Sequence, residues 1–550
     1  MPAPRRPARK HTSGTDCRNT DNPPMRPAST IRRTLRHPQF RALCASGAIY
    51  FIGNAMQTMA AAWMMVELTG SSFLAALVQT AVFMPMFLFS LPAGVLADIT
   101  DRRRLILLAL GIQAVVGILL AALLMAHVGG AGTILFFVFL SGSCTAFLSP
   151  AWNSSISDSV PRHDLPQAIT AVGIAYNAAR AIGPALAGAV FLHIGGAWNF
   201  VFAVVSTLVM MQAIRRFPPR PHPPTRLPAE RLWGGMLSAL RFAWHSHIVL
   251  SQLLRAGAYC AAGSALWALL PVIGQRQLGL GAAGFGLLMG CLGTGAIIAG
   301  LFIGRLRNRF GLEPLVAGGC LLFAMVMLVA AYSEWDPPVY IALILAGGAW
   351  MAVMSTFNTA TQTSVPPWVR ARAVAMHTLS ALGAFAIGSA FWGALSDLAG
   401  LSLALTVAAV CMALGPLMAR RFPLRMGETG EVTQATPWED LFLSHEPDPE
   451  AGPIAVEMGY RILPANAEDF LDAISQLRAP RRRDGATFWR IYRDLADPSR
   501  YVERFIVTSW ADYLHQRARA TLADQQIEAH LRTFLLEGES VTMQHYIAER

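Results

Sequence analysis

The sequence predicts an all-α membrane protein of twelve helices, built as two similar six-helix halves and followed by a small C-terminal α+β domain. Three observations carry that prediction: long stretches without a charged residue, arginines gathered in alternate loops, and a second half that repeats marked positions of the first. Of 550 residues, 54% are hydrophobic and 14% are charged, against roughly 25% charged in soluble domains. Water is therefore not the main solvent. No Asp, Glu, Lys or Arg lies between Arg41 and Glu67, Glu67 and Asp98, Arg104 and Asp158, or Arg276 and Arg305. A helix needs about 20 apolar residues to cross ~30 Å of hydrocarbon. The stretch from Leu105 to Ser157 is too long for one crossing, and Gly129, Gly130 and Gly132 near its midpoint predict a turn between two.

In order, the expected spans are about 42–66, 72–97, 105–127, 133–152, 168–192, 197–214, 248–275, 282–304, 314–332, 338–360, 373–396 and 400–419. The net charge of +11 does not point to nucleic acid, because the arginines sit in alternate loops. Arg102, Arg103 and Arg104 lie between spans two and three, Arg215 to Arg241 between six and seven, Arg305 to Arg309 between eight and nine, and Arg370 and Arg372 between ten and eleven. Such loops stay in the cytoplasm, so both termini and the central loop are expected there, in the inner membrane of a bacterium.

Six of the seven cysteines fall inside spans and read as packing residues, so neither a disulfide nor a metal site is expected. Residues 1–37, rich in Pro and Arg, read as a disordered basic arm without a cleavable signal peptide; Met25 is an alternative start. The domain boundaries that follow are 38–214 and 248–421 for the two halves, 215–247 and 422–452 for linkers, and 453–550 for the soluble domain. Within the first linker, 232–247 reads as an amphipathic segment at the membrane surface.

The internal repeat is visible without any other protein. SPAWNSSISDSVP from Ser149 followed by RAIGPALAG matches MSTFNTATQTSVP from Met354 followed by FAIGSAFWG, at a constant offset of 205. Asn153 then pairs with Asn358, Gly183 with Gly388 and Gly188 with Gly393. GVLADITDRRR from Gly94 is echoed by GRLRNRFGLEP from Gly304. Inverted or parallel repeats of this kind place a substrate site near the midplane, between halves that rock.

These residues resemble the major facilitator superfamily, and within it the branch of transmembrane secretion effectors that includes the enterobactin exporter. The resemblance runs from about residue 38 to the end and rests on FRAL near Phe40, GNAMQ to ELTGS over 53–71, the loop at Gly94, PAW at 150–152 and N-x-x-R-x-x-G-P at 177–184. It implies proton-driven export of small amphipathic molecules such as siderophores or drugs. The chain departs from the pattern where Ile99 follows Asp98, where Asn308 replaces an acid, and where Asn54 stands at a position that is acidic in some members. With no Asp or Glu in the middle of a span, coupling is left to Asp98, an Arg, a His or the substrate.

Arg180 is ~12 residues into span five, near the bilayer centre, where a charge faces a cavity or a partner. Asn177 and Pro184 share its face. Two readings stand: an anchor for an anionic substrate group, or a charge satisfied by helix-end carbonyls or Asn177. Arg255, ~7 residues into span seven, is a candidate contact that can also snorkel to the surface. Asn54, Gln57 and Gln79 line a wet cavity or bond to another helix. Trp267, Trp350 and Trp392 stack on substrate or simply pack. For gating, Asp98 with Arg102 and Arg103 forms a latch or a merely basic loop, while Gly94, Gly183, Pro184, Gly388 and Gly393 mark places where helices approach or slide.

The tail predicts strands at 454–462, 487–495, 504–510 and 541–547 with helices at 467–477 and 511–536. Its RRRDGA…W, D-x-x-DP and E-x-F…SW runs resemble the tail of this family and, more loosely, antibiotic-biosynthesis-monooxygenase-like domains, which implies a possible homodimer. No catalytic residue, cofactor or metal is expected, and the partners are a small-molecule substrate and the lipid bilayer, not nucleic acid. The alternatives are a membrane-anchored enzyme or sensor acting through the tail, and a solute importer.

Overall fold

The computed structural model describes residues 34–216, 244–435 and 447–549. Residues 1–33 of the expected arm over 1–37, most of the expected surface segment 232–247 and residues 436–446 of the second linker lie outside the described residues; the end of that arm is packed and not disordered, with Thr34 buried and His37 3.2 Å from Asp164. Among the described residues twelve long helices follow in order: α1 Pro38–Thr69, α2 Ser72–Ile99, α3 Arg102–Met125, α4 Ala131–Asp158, α5 Leu165–Ile194, α6 Trp198–Arg216, α7 His247–Val272, α8 Ala282–Phe310, α9 Leu312–Tyr332, α10 Asp336–Thr363, α11 Pro367–Ala399 and α12 Leu401–Leu414. Ten are long and apolar enough to cross a membrane. The two that fall short are α1 and α5, which carry Asn54, Gln57, Asn177 and Arg180.

Local chemistry sets the turns. Gly70, at φ 63°, ends α1 in the left-handed region, and one residue later the Ser71 hydroxyl accepts the Leu74 amide at 3.2 Å to start α2. The Asp101 carboxylate accepts the amides of Arg103 and Arg104 and so opens α3 immediately before its arginines. In α7, Pro271 removes a ladder donor and the helix widens into a π turn over Ile273–Gln277.

The repeat is written into the packing. Gly183 of α5 lies against α1, where an added Cβ would sit 2.7 Å from the Ala55 Cβ. Its counterpart Gly388 of α11 lies against α7, 2.6 Å from the Ala261 carbonyl by the same construction. Between the halves, Gly188 presses α5 onto α8 at Ala282, and Gly393 presses α11 onto α2 at Ala76 and Phe73. These close approaches, with Trp63 stacked on Phe285 at 5.4 Å and the Thr80 hydroxyl donating to the Ala386 carbonyl at 2.8 Å, lie away from the basic loops. That end of the molecule is shut. Toward the basic loops, Ile169 and Tyr176 of α5 line an opening and are exposed.

After a short helix α13 (Thr429–Val432), the tail forms β1 Ile454–Arg461, α14 Ala467–Ser475, α15 Arg478–Asp484, β2 Phe488–Arg493, β3 Arg500–Val507, α16 Trp510–Arg519, α17 Leu522–Arg532 and β4 Thr542–Ile547. The strands make one antiparallel sheet in the order β2-β3-β1-β4. The four expected strands are present, with β3 starting four residues earlier than expected. The single helix expected over 511–536 is two, because Thr521 caps a new start in a reciprocal box with Asp524. The RRRD run, read as a motif without structure, forms α15, ended by Gly485 at φ 141°.

Candidate functional site

A cavity of about 720 Å³ lies between the two halves, in the range of pockets that hold drug-sized ligands. From the first half it is lined by Asn54, Gln57, Gln79, Thr145, Asn153, Asn177 and Arg180 among others; from the second it takes Trp267, Phe285, Met289, Trp350, Met354 and Phe385. Lining residues of α1 and α5 are the polar positions that lowered the hydropathy of those helices. In an apolar solvent such groups need water or a partner, and the cavity is where they find it.

Arg180 is the charge at the centre. Its guanidinium carbon sits 4.7 Å from the centroid of the Trp267 ring, across the boundary between halves, a cation–π contact of about 0.5–2 kcal/mol. Among the described residues no carboxylate lies within ion-pair distance of it. Asn177, a neutral amide, does not neutralise it either; its Nδ2 donates to the Gly173 carbonyl at 2.9 Å. Pro184, also on the lining, has no N–H for the Arg180 carbonyl one turn back, which leaves a second polar group at the same level. Trp267 is buried, and its Nε1 has no hydrogen-bond partner among the described residues. Gln57 and Gln79 are buried but reach the cavity surface. The wall therefore offers amides, hydroxyls and a cation, and no acid.

The other candidates are distributed differently. Arg255 is outside the lining: it is 3% exposed and held by Glu313, Nη1 to Oε1 at 2.6 Å and Nη2 to Oε2 at 2.8 Å, with the Phe422 carbonyl at 3.2 Å. Trp350 lines the cavity beside Trp267 at 5.9 Å, whereas the Trp392 indole donates to the Ala261 carbonyl at 2.7 Å and packs α11 on α7. Asp98 lies in the last turn of α2, and its side chain is outside the described residues. Arg102 pairs with Asp158 at 3.1 Å and Arg103 donates to the Arg215 carbonyl at 2.7 Å, both within the first half. Nothing lies within 4 Å of a Cβ built at Gly94, unlike the other three glycines.

Sequence reasoning missed Tyr50, whose hydroxyl donates to Gln113 at 3.0 Å and meets Thr145 at 3.3 Å, and missed Asn153 as a lining residue. The repeat had marked Asn153, which was the available signal. In the tail, the RRRDGA…W and E-x-F…SW motifs meet in one buried network: Glu503, 0% exposed, accepts from Arg481 at 3.0 Å, Trp489 at 2.8 Å and Tyr460 at 3.2 Å, while D-x-x-DP stands apart, with Asp494 paired to Arg500 and Asp497 to Arg461. Arg481 also pairs with Glu528 at 2.9 Å. Burial pushes the Glu528 carboxyl up from 4.5 against the pull of Arg481. The adjoining hollow is about 40 Å³, room for a water or two, so these residues hold the domain's core.

The family model described as transmembrane secretion effector matches residues 29–550. The chain belongs to that family. Similar proteins include the enterobactin exporter EntS of Salmonella typhimurium, 29% identical over 371 residues that make 65% of this chain and 86% of that one. The multidrug efflux pump Tap of Mycobacterium bovis is 25% identical over 403 residues, 70% of this chain and 94% of that one. Among solved structures, an inward-facing bacterial homologue of the lysosomal transporter Spinster superposes with a TM-score of 0.56 at 17% identity, over 70% of this chain and 97% of that one. The nucleoside transporter NupG gives 0.59 at 11% identity, over 70% and 98%. This transmembrane secretion effector is thus a multi-pass membrane protein with the major facilitator fold, a transporter and not an enzyme.

Proposed function

We propose that this protein exports a small amphipathic or anionic molecule from the cytoplasm across a bacterial inner membrane by alternating access, driven by the proton gradient, with both termini and the tail in the cytoplasm. The observation that carries this reading is Arg180, a cation on the wall of the central cavity, without an acidic partner among the described residues and laid over Trp267. A charge kept at that depth is costly unless a counter-charge visits it, and a substrate anion supplies one. The names of EntS and Tap, an exporter and an efflux pump, favour the outward direction over uptake. The basic loops favour placing the open end in the cytoplasm, where an exporter takes up its load. Two copies pairing through the tail's uncovered sheet face, which carries Tyr492 and Tyr546 as exposed residues, is the oligomer we propose.

The test is retention of catecholate siderophores and of anionic and cationic fluorescent dyes in cells with and without the gene, repeated with an uncoupler. Loss of the gene is expected to raise retention of anionic compounds at least severalfold, and the uncoupler to abolish the difference. Unchanged retention of every compound would overturn export, and a fall in retention on losing the gene would turn the reading to uptake.

A further inference from the structure

Asp397 stands near the end of α11 on the shut side of the molecule, and its carboxylate reaches into the other half. Oδ2 accepts from the Ser71 hydroxyl at 2.5 Å and from the Phe73 amide at 3.1 Å, while Oδ1 accepts from the Ser72 amide at 2.7 Å. The first amides of any helix have no partner inside that helix, and an anion is favoured where they cluster. The second half therefore supplies the acid that caps a helix of the first. Ser71 joins both functions, since its oxygen accepts the Leu74 amide while its proton goes to Asp397.

The repeat provides an internal control. Two equivalent seams close this end, α11 on α2 at Gly393 and α5 on α8 at Gly188. At the offset of 205 the residue equivalent to Asp397 is Leu192, and α8 starts at Gly281 with no side-chain cap. Gly188 against Ala282 and Gly286 against Pro184 bring that second seam together. Among the described residues only the α11–α2 seam adds a hydrogen-bonded acid, so close packing does not require one.

We propose that Asp397 is the positioning residue of the gate: its cap on α2 holds the far end shut while the cavity is open toward the basic loops, and the cap must break for the cavity to open the other way. The exposed position of Asp397 suits a contact that is made and broken in each cycle. When the seam parts, water replaces protein on both the carboxylate and the two amides, so opening costs little beyond the lost cap. The role is independent of what the cavity carries and of the direction of transport.

The test is a distance measurement between spin labels at Val128 and Glu334, exposed loop positions of the two halves at the shut end, in a cysteine-free full chain in lipid nanodiscs without substrate. Loss of a helix cap shifts an equilibrium about five- to tenfold, so Asp397→Asn is expected to raise the ratio of long to short distances by about that factor. Ser71→Ala, which removes one of the three bonds to Asp397 together with the cap on the Leu74 amide within the first half, is expected to shift the ratio less, and Asp397→Glu to recover part of the loss. A distance distribution unchanged by Asp397→Asn, even alongside lower thermal stability, would leave Asp397 a structural cap only and overturn the proposal. Should Asp397→Asn fail to fold, an unchanged distribution in Ser71→Ala overturns it equally.

Discussion

Arg180 on α5 and Phe385 on α11 occupy equivalent positions, separated by the offset of 205, and both line the cavity. The same contrast extends along the walls. The first half contributes Asn54, Gln57, Gln79, Asn153 and Asn177, whereas the second contributes Trp267, Phe285, Trp350, Met351 and Met354. In the scaffold around those walls the halves agree, as the paired contacts of Gly183 and Gly388 show. Duplication thus preserves what lets helices approach, and the walls diverge where a cargo would touch them. The first-half wall holds the polar and charged groups among aromatic residues such as Phe51, Phe83 and Tyr176, while the second is apolar and aromatic, a division that suits the amphipathic cargo proposed above.

The largest effect is expected from moving the charge. Arg180→Met should lower export of anionic dyes about ten- to hundredfold, the scale of a lost charge-assisted contact of about 1.5–3 kcal/mol, while leaving uncharged compounds within about twofold. Exchanging the equivalent residues, Arg180→Phe with Phe385→Arg, keeps the wall composition but puts the cation on the other half. Recovery of anion export by the exchange would mean that the walls are interchangeable and would break the comparison. Efflux rates from dye-loaded cells, normalised to protein in the membrane, decide it.

Next comes the aromatic side of the same contact. Trp267→Ala removes the platform under the guanidinium and should cost about three- to tenfold in the same efflux measurement, with Trp267→Phe retaining most of the activity because a smaller ring still offers its face. An equal loss in both variants would point to the indole N–H and not to the ring.

A smaller effect separates the two halves as scaffold. A Cβ at Gly183 meets the Ala55 Cβ at 2.7 Å and no backbone atom nearer than the Ile52 carbonyl oxygen at 3.2 Å, whereas one at Gly388 meets the Ala261 backbone carbonyl oxygen at 2.6 Å and the Ser264 hydroxyl at 2.5 Å. Gly388→Ala should therefore lower the thermal midpoint more than Gly183→Ala, the overpacking cost being about 1–3 kcal/mol. Equal midpoints would show that α1 and α7 yield alike.

Much of this architecture was legible because it rests on patterns that repeat: charge-free stretches, arginine loops and the offset of 205. The cavity residues of α1 and α5 were legible for a related reason, since a polar residue in an apolar helix has few explanations. What could not be read depends on partners distant in sequence. Asp397 lies 325 residues from Ser72, and nothing near it marks a cap for another helix. Arg255 looked like Arg180 in sequence, yet Glu313, one residue before the expected ninth span, holds it. The tail's attachment was equally hidden. The Arg425 carbonyl accepts from Gln252 and Ser364, Gln434 bridges to Thr521, and Arg519 lies 4.7 Å over the Trp368 ring at the start of α11. These contacts tie the domain to the second half.

That attachment gives the smallest prediction, one confined to the tail. His545 on β4 lies 2.6 Å from the Tyr513 hydroxyl, and burial, then the nearby Arg517, lowers its pKa from 6.5. A base whose folded pKa is depressed leaves the unfolded chain to take up the proton first, so stability is intact above about pH 6.5 and falls as pH drops below it. Glu528 acts the other way at lower pH, because its raised pKa costs stability as pH climbs from 4.5. Hydrogen exchange over residues 454–547 of the full chain should thus show wild type losing protection from pH 7.5 to 5.5, relative to His545→Gln at each pH. The transmembrane helices should change alike in both, since the side-chain contacts of His545 among the described residues, Tyr513 and Trp510, lie within the tail. A difference that reached α11 would instead mean that the grip of Arg519 on Trp368 transmits the tail's state to the helix that carries Asp397.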